Sequence, residues 1–356
     1  MKRFVCVLLC IVFTCTLLVS CGDRVIGKDL EKYDPNSNKV ENLTLNLYIV
    51  VGDGTSESAE ESVARELNAH TLSKFNTTLR VHYVAESQYQ TTVLNAISAG
   101  GSDTPHIILI NSVDMFNSLI GSGASNKLLE LNSYLDSNAY GSLNTQIPEA
   151  LINGSRVDGR LYTIPNNYLI GEYEYLVINK SLANHYLYND TKLSSYKTLE
   201  DAAQLRADML ADGLTEQEVN AAVFMANGPY EMRAEKQSEG YICNVSKYPE
   251  VTPEIAFRSA FAIVKNIEEK YHSRAMQIIY EINNNVEFRN LLQYGVKDTH
   301  YTIENGVVTR LGGDNAYNMN LLYTGDVFKA YYCEELGWNE TNYNNWFNQN
   351  EESVTQ

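Results

Sequence analysis

Tryptophan is scarce in this chain, and so, once position is considered, is cysteine: there are 2 Trp and 6 Cys, four of the cysteines being Cys6, Cys10, Cys15 and Cys21. Only Cys243 and Cys333 remain for the folded body. They are too few and too far apart in sequence for a disulfide framework or a metal motif, and whether they pair stays open. Nucleotide chemistry has no foothold either: no phosphate loop of Walker spacing occurs, and Gly52-Asp53-Gly54 lacks the third glycine of a dinucleotide fingerprint. The histidines, at 70, 82, 106, 185, 272 and 300, show no paired spacing with carboxylates or cysteines, and no Gly-x-Ser-x-Gly elbow is present. These absences argue against metal, cofactor and serine-hydrolase chemistry. Positive charge is short as well. With 27 Lys and Arg against 44 Asp and Glu, the net charge is −17, which argues against a nucleic-acid partner and repels anionic lipid.

What the chain does have begins at its amino terminus. Lys2-Arg3 precedes an apolar run, Phe4 to Val19, of signal-peptide length. The run ends in Leu18-Val19-Ser20-Cys21, which resembles the lipobox of bacterial lipoproteins. That resemblance implies cleavage before Cys21, acylation of its thiol, and attachment to the outer face of the cell membrane; the alternatives are a plain secretory signal or a transmembrane helix. Residues 21–41 are polar, with Asp34-Pro35-Asn36-Ser37-Asn38, and suit a tether.

Beyond the tether the pattern alternates between strand and helix. Leu43 to Val51 reads as a strand buried on both sides, followed by a glycine loop and a helix from Ser58 to Phe75 that Ser56 or Ser58 can cap. Leu79 to Val84 is the next strand, Gln88 to Ala99 the next helix, and Pro105 to Ile110 a third strand opening through Asn111-Ser112 into a helix over Val113 to Ile120. This alternation predicts a parallel sheet. Ligands then sit at the carboxyl ends of the strands, which singles out Asp53, Gly54, Asn111, Ser112 and Asp114. Asp114 could equally cap its helix.

From Gly159 to Lys180 the texture breaks. Asp158-Gly159 makes a tight turn, Pro165 holds Ile164 extended, and Tyr173 to Asn179 reads as a central strand. This stretch predicts a hinge, with two paired strands inside one sheet as the alternative. Further on, helices are expected over Thr198 to Leu210 and Thr215 to Met225, strand character near Tyr241 to Cys243, and a return crossing at Ala260 to Val264. Amphipathic helices are expected over Ser273 to Ile282 and Val286 to Tyr294.

Two runs carry a family resemblance. Asp158-Gly159-Arg160-Leu161-Tyr162-Thr163-Ile164-Pro165 resembles the inter-lobe crossing of the family 1 extracellular solute-binding proteins of ABC importers. Arg274-Ala275-Met276 with Asn290-Leu291-Leu292-Gln293-Tyr294-Gly295-Val296 and His300-Tyr301 is similar to a run common in their Gram-positive lipoprotein members. The resemblance implies an α/β, two-lobed, periplasmic-binding-protein-like fold of type II, each lobe a sheet flanked by helices. Lobe 1 would take 42–165 and 257–310, and lobe 2 would take 166–256 and 311–356. Family members continue through further helices after the segment resembling Asn348 to Val354, so a second lobe cut short is expected.

The resemblance further implies a monomeric binder without catalysis, closing on a small solute, most readily an oligosaccharide or else a peptide, for an ABC permease partner. The residues expected at its cleft are Asp53, Asn111 and Asp114 from the first lobe, and Tyr168, Glu172 and Tyr173 from the hinge. Tyr230, Tyr317, Asn318 and Trp338 are expected from the second. Tyr173 in a strand could serve core packing instead, and Trp338 could cover a helix end. Abundant carboxylates keep open a secreted lipoprotein acting on polysaccharide, since a glycosidase pair meets only in the fold. An inactive or adhesive surface lipoprotein is the third reading.

Overall fold

The structure is a computed structural model that describes residues 24–26, 41–121 and 126–355. The expected leader with Cys6, Cys10 and Cys15, the acylation candidate Cys21 and nearly all of the expected tether lie outside the described residues. Strand β1 (Arg24–Ile26), which falls in the stretch expected as a tether, pairs antiparallel with β3 (Thr77–Ala85). β2 (Leu43–Val51) runs parallel to β3 from Leu43 opposite Thr77 to Val51 opposite Ala85, and on its other edge pairs in parallel with β4 (Ile107–Ile110).

Helices make the crossovers that parallel pairing requires. α1 (Glu57–Phe75) is capped by Ser56, whose side chain accepts from the Ala59 amide, and ends at Asn76 in the left-handed region at φ 50°. α2 (Glu86–Ala99) stops at Gly100, and α3 (Val113–Leu119) starts from the Ser112 side chain. Lys127 to Leu135 divides into a bridge from Leu128 to Val264 and a single helical turn, Asn132–Leu135.

A hairpin of β5 (Arg156–Val157) and β6 (Arg160–Leu161) turns through Asp158 and Gly159 at φ 51° and 75°. Positive φ at both central residues matches the twist of the flanking strands, and Asp-Gly supplies it at low cost. β7 (Ile164–Pro165) sits at the edge of the first sheet, where a proline forfeits no ladder bond.

The chain then leaves for a second sheet. β8 (Tyr173–Asn179) is its central strand, antiparallel to both β9 (Val223–Gly228) and β10 (Tyr241–Lys247). Over its outer face lie α4 (Ala203–Ala211) and α5 (Glu216–Ala222), with Leu176, Ile178, Leu205, Met209 and Val219 in the core. Two boundaries differ from the sequence reading. The helix expected from Thr215 to Met225 ends at Ala222, because Val223, Phe224 and Met225 pair with Ile178, Val177 and Leu176 of β8. The helix expected from Thr198 begins at Ala203: the Asp201 carboxylate is taken up by the amides of Lys197 and Thr198, which fixes a turn ahead of it.

After α6 (Met232–Ser238) and the two-residue β11 (Glu250–Val251), the chain returns as β12 (Ala260–Ile263). β12 lies between β4 and β7, antiparallel to both, so the first sheet has the order β1-β3-β2-β4-β12-β7 and is mixed where alternation alone predicts parallel. The cause is directional. β7 leaves the sheet at the carboxyl end of β4, and a chain coming back at that same end must run the other way.

α7 (Glu269–Asn284) and α8 (Val286–Tyr294) cover the first sheet, Met276, Ile279, Phe288 and Leu292 joining its core. Tyr317, Met319 and Tyr323, which the sequence reading gives to the second lobe, belong to that same core. A hairpin, β13 (Tyr301–Glu304) and β14 (Val307–Arg310), precedes a third cluster in which Trp338 packs with Tyr168 and Val327. Last come α9 (Glu340–Glu351) and β15 (Val354–Thr355), the latter parallel to β11. Cys243 and Cys333 are free, buried thiols in separate apolar clusters. No helix among the described residues is long and apolar enough to cross a membrane.

α9 also reaches the crossing. The buried Asn350 accepts from the Ile170 amide at 2.9 Å and donates to the Tyr168 carbonyl at 2.7 Å. Its neighbour Gln349 donates to the Ile170 carbonyl at 3.0 Å and accepts from the Tyr230 amide at 2.9 Å. Two side-chain amides thus replace the ladder partners that the extended segment 167–171 lacks.

Candidate functional site

Because β2, β3 and β4 run parallel, the residues that follow them emerge at one end: Gly52-Asp53, Glu86-Ser87 and Asn111-Ser112. β12 runs antiparallel, so the residues that precede it, Arg258-Ser259, come to the same end. Over this end lies the segment from Tyr317 to Tyr323. The Asn318 carbonyl accepts from the Gly52 amide at 2.9 Å, its amide N–H donates to Thr55 Oγ1 at 2.9 Å, and its Nδ2 donates to the Asp53 carbonyl at 3.1 Å. Glycine is required at 52 by closeness: a Cβ there would lie 2.5 Å from the Asn318 oxygen.

A cavity of about 730 Å³ opens between these groups, lined by Asp53, Glu86, Ser87, Asn318, Asn320 and Tyr323 over an apolar floor that includes Val50 and Leu321. The Tyr323 phenol donates to Glu86 Oε1 at 2.8 Å. Burial, and then the Glu86 carboxylate, push this phenol above its ordinary range, so it stays a donor. The exposed Arg258 guanidinium lies near enough to act electrostatically on both Tyr323 and Tyr168. An acid and a phenol therefore stand at one rim, with a guanidinium beyond the lining. Another cavity, of about 630 Å³ and lined by Leu128, Arg160 and Lys265, lies at the opposite end, beyond the pairing of Ile263 with Ile107. Ligands in open α/β sheets bind at the carboxyl ends, which favours the first.

Of the residues expected at a cleft, Asp53 and Asn318 come together in the 730 Å³ cavity. Asn111 and Asp114 stand at the carboxyl end of β4, Asp114 exposed in the first turn of α3, and neither lines the cavity. Glu172 is exposed beside the crossing, and Tyr230 is half-buried with its ring 6.4 Å from that of Tyr173.

Four of the large side chains are packed away: Tyr168, Tyr173, Tyr317 and Trp338 are each no more than 2% exposed. Their polar tips are also spent. Tyr168 donates to the Ile255 carbonyl, Tyr173 to Glu352 at 2.9 Å, Tyr317 to the Leu292 carbonyl at 3.0 Å and Trp338 to the Ala330 carbonyl at 3.3 Å. Ring area drives these four into cores, leaving no face open to a solute. Sequence reasoning missed Glu86, Ser87, Asn320, Tyr323 and Arg258. The first two follow β3 as Asp53 follows β2, so the carboxyl-end rule reaches them; Tyr323 and Arg258 arrive from distant segments with no local signal. No group of three or more His, Cys, Asp and Glu placed to hold a metal occurs among the described residues.

No protein-family model matches this sequence, and no curated protein matches it. Solved structures do. The N-glycan transport solute binding protein (NgtS) from Streptococcus pneumoniae, in complex with Man1GlcNAc, is similar with a TM-score of 0.53 at 14% identity, over 88% of this chain and 84% of that one. The same protein in complex with Man5GlcNAc gives 0.53 at 15% identity, over 88% and 83%. An extracellular solute-binding protein family 1 from Alicyclobacillus acidocaldarius gives 0.42 at 12% identity, over 90% and 88%. The likeness is one of fold: sheets flanked by helices in the two-lobed type II arrangement of solute-binding proteins.

Proposed function

We propose that this chain, with the fold of the type II solute-binding proteins as its starting point, is the extracellular capture component of an ABC importer and takes up an oligosaccharide. The observation that carries the reading is the cavity at the carboxyl ends of β2 and β3, where Asp53, Glu86, Asn318, Asn320 and Tyr323 converge. Planar amides and carboxylates pair with the vicinal hydroxyls of a sugar, and a phenol offers a hydrogen bond at one edge. The two carboxylates disfavour anionic solutes. A protein of similar fold was solved with Man1GlcNAc and Man5GlcNAc, which supports mannose-containing oligosaccharides as the first solutes to try.

In this reading the first sheet forms one lobe and the sheet of β8, β9 and β10 the other, and the solute favours closure by touching both. The lobe boundaries near 165 and 257 are part of the proposal. So is the solute's onward passage to a membrane permease. Capture has no turnover step, so a titration should reach equilibrium with the solute recovered intact.

Calorimetric titration with manno- and gluco-oligosaccharides is expected to give saturable one-to-one binding. Combining Glu86→Ala with Tyr323→Ala should then weaken it by about 2–3 kcal/mol, roughly a hundredfold. Binding that is indifferent to both substitutions removes this cavity from consideration. Absence of any binding across glycans and peptides removes the transport reading.

Attachment through Cys21 is likewise proposed. Cells expressing Cys21→Ser should release the protein into the medium and fail to incorporate labelled palmitate into it, whereas the unaltered chain stays with the membrane fraction. Equal labelling of both would refute the anchor.

A further inference from the structure

At the amino ends of the first sheet, away from the solute cavity, a pocket of about 390 Å³ is lined by Thr44, Arg80, His106, Asn266, Glu268 and Tyr271 among others. Arg80 stands on β3 opposite Asn46 of β2. Its Nε is buried and makes no hydrogen bond, and no carboxylate pairs with its guanidinium among the described residues. This is unusual in a chain of net charge −17, where basic groups are outnumbered by acids. Arg80 is half-buried, so the rest of its guanidinium can meet solvent or a ligand, while the buried Nε is a donor that lacks a partner.

The surroundings are built and rich in donors. Asn46 Nδ2 donates to the carbonyls of Ser102 and Thr104, each at 2.8 Å, and the Asn46 carbonyl accepts from the His106 amide at 3.0 Å, so the wall is fixed. The Asn46 amide donates to His106 Nδ1 at 3.1 Å, which makes Nδ1 an acceptor and puts the proton of the neutral ring on Nε2. Thr44 and Tyr271 add two hydroxyls that bond to no protein group among the described residues. The one carboxylate on the lining, Glu268, is 72% exposed and lies 3.4 Å from Lys270, so its charge is already answered.

We propose that this pocket binds a small oxyanion, a carboxylate or a phosphate group, with the Arg80 guanidinium as its anchor. A guanidinium presents paired N–H groups in a flat fork that matches two oxygens of such an anion. The hydroxyls are the neutral donors that complete an anion's shell. The site is independent of solute capture, because it sits at the opposite ends of the strands.

The test is calorimetric titration of the whole chain with inorganic phosphate and, separately, with acetate, at ionic strength held constant with chloride. One saturable site is expected, weakened by at least about tenfold in Arg80→Met. Tighter phosphate than acetate identifies the phosphate chemistry, and the reverse identifies a carboxylate. Oligosaccharide affinity should be unchanged in the same variant. Failure of both anions to saturate, or undiminished binding by Arg80→Met, overturns the proposal. Should Arg80→Met not fold, Thr44→Val with Tyr271→Phe decides: about threefold or more loss supports the site, and no loss overturns it.

Discussion

Asp326→Asn is expected to stabilise the protein at neutral pH by about 2–3 kcal/mol and to make it lose stability more steeply in mild acid. Asp326 is 3% exposed, and burial lifts its carboxyl from 3.8 to about 6. Its nearest cation, Lys329, is 3.9 Å away and also bonded to Gln146, Asn283 and Asn284, while Arg289 Nε meets only the Asp326 carbonyl. The charge is thus poorly compensated. An acid whose folded pKa lies above its unfolded one contributes stability that is full below about 4 and lost as pH rises through about 6.

His106 does the opposite. Burial lowers it from 6.5 to about 4, so its contribution is full above about 6.5 and lost as pH falls through about 4. Between those limits the Asp326 slope opposes that of His106, to which His300, also lowered by burial, adds, so the natural chain should lose less stability in mild acid than the variant. Asparagine at 326 can still accept from the Phe328 amide, as the aspartate does at 3.0 Å, so the turn survives and the His106 slope is uncovered. Urea unfolding across this range measures it. A variant no more stable at neutral pH, or a profile parallel to that of the natural chain, would falsify the account.

Asn350→Leu should cost about 3 kcal/mol of stability and should also disturb solute binding. The substitution keeps the branching of the side chain but leaves the Ile170 amide and the Tyr168 carbonyl buried without partners, each worth about 1–3 kcal/mol. Asn350→Asp provides the control in acid: once protonated, its carboxyl can both accept from Ile170 and donate to Tyr168, so below about pH 4 leucine should be the worse of the two in chemical denaturation. These bonds hold the segment between β7 and β8, where the chain passes from one sheet to the other, so loosening them should alter oligosaccharide affinity with the cavity side chains untouched. A stability loss below about 1 kcal/mol by the leucine variant, or an aspartate variant that is worse even in acid, would show that the α9 amides do not hold the crossing.

Much of the architecture is legible in short stretches. The Leu43 to Val51 strand, the Ser56 and Ser112 caps, the Asp158-Gly159 turn and the central strand at Tyr173 all announce themselves, because burial periodicity, capping and positive φ are decided by residues close in sequence. The candidate site was legible by halves. Asp53 follows a readable strand, and the same rule extends to Glu86.

The aromatic residues were a different matter, since a tyrosine's chemistry is the same whether it lines a cleft or fills a core. Only the packing of distant segments sent Tyr317 and Trp338 inside while leaving Tyr323 at the cavity rim. Sequence by itself determined most of the elements, the acidic character and which residues follow the parallel strands. Tertiary structure decided the antiparallel insertion of β12, the cover that Asn318 places over Gly52, and the hold of Gln349 and Asn350 on the crossing. The reason is physical. Each of these joins groups far apart along the chain, and whether a polar or aromatic side chain is buried, paired or open depends on what is folded against it.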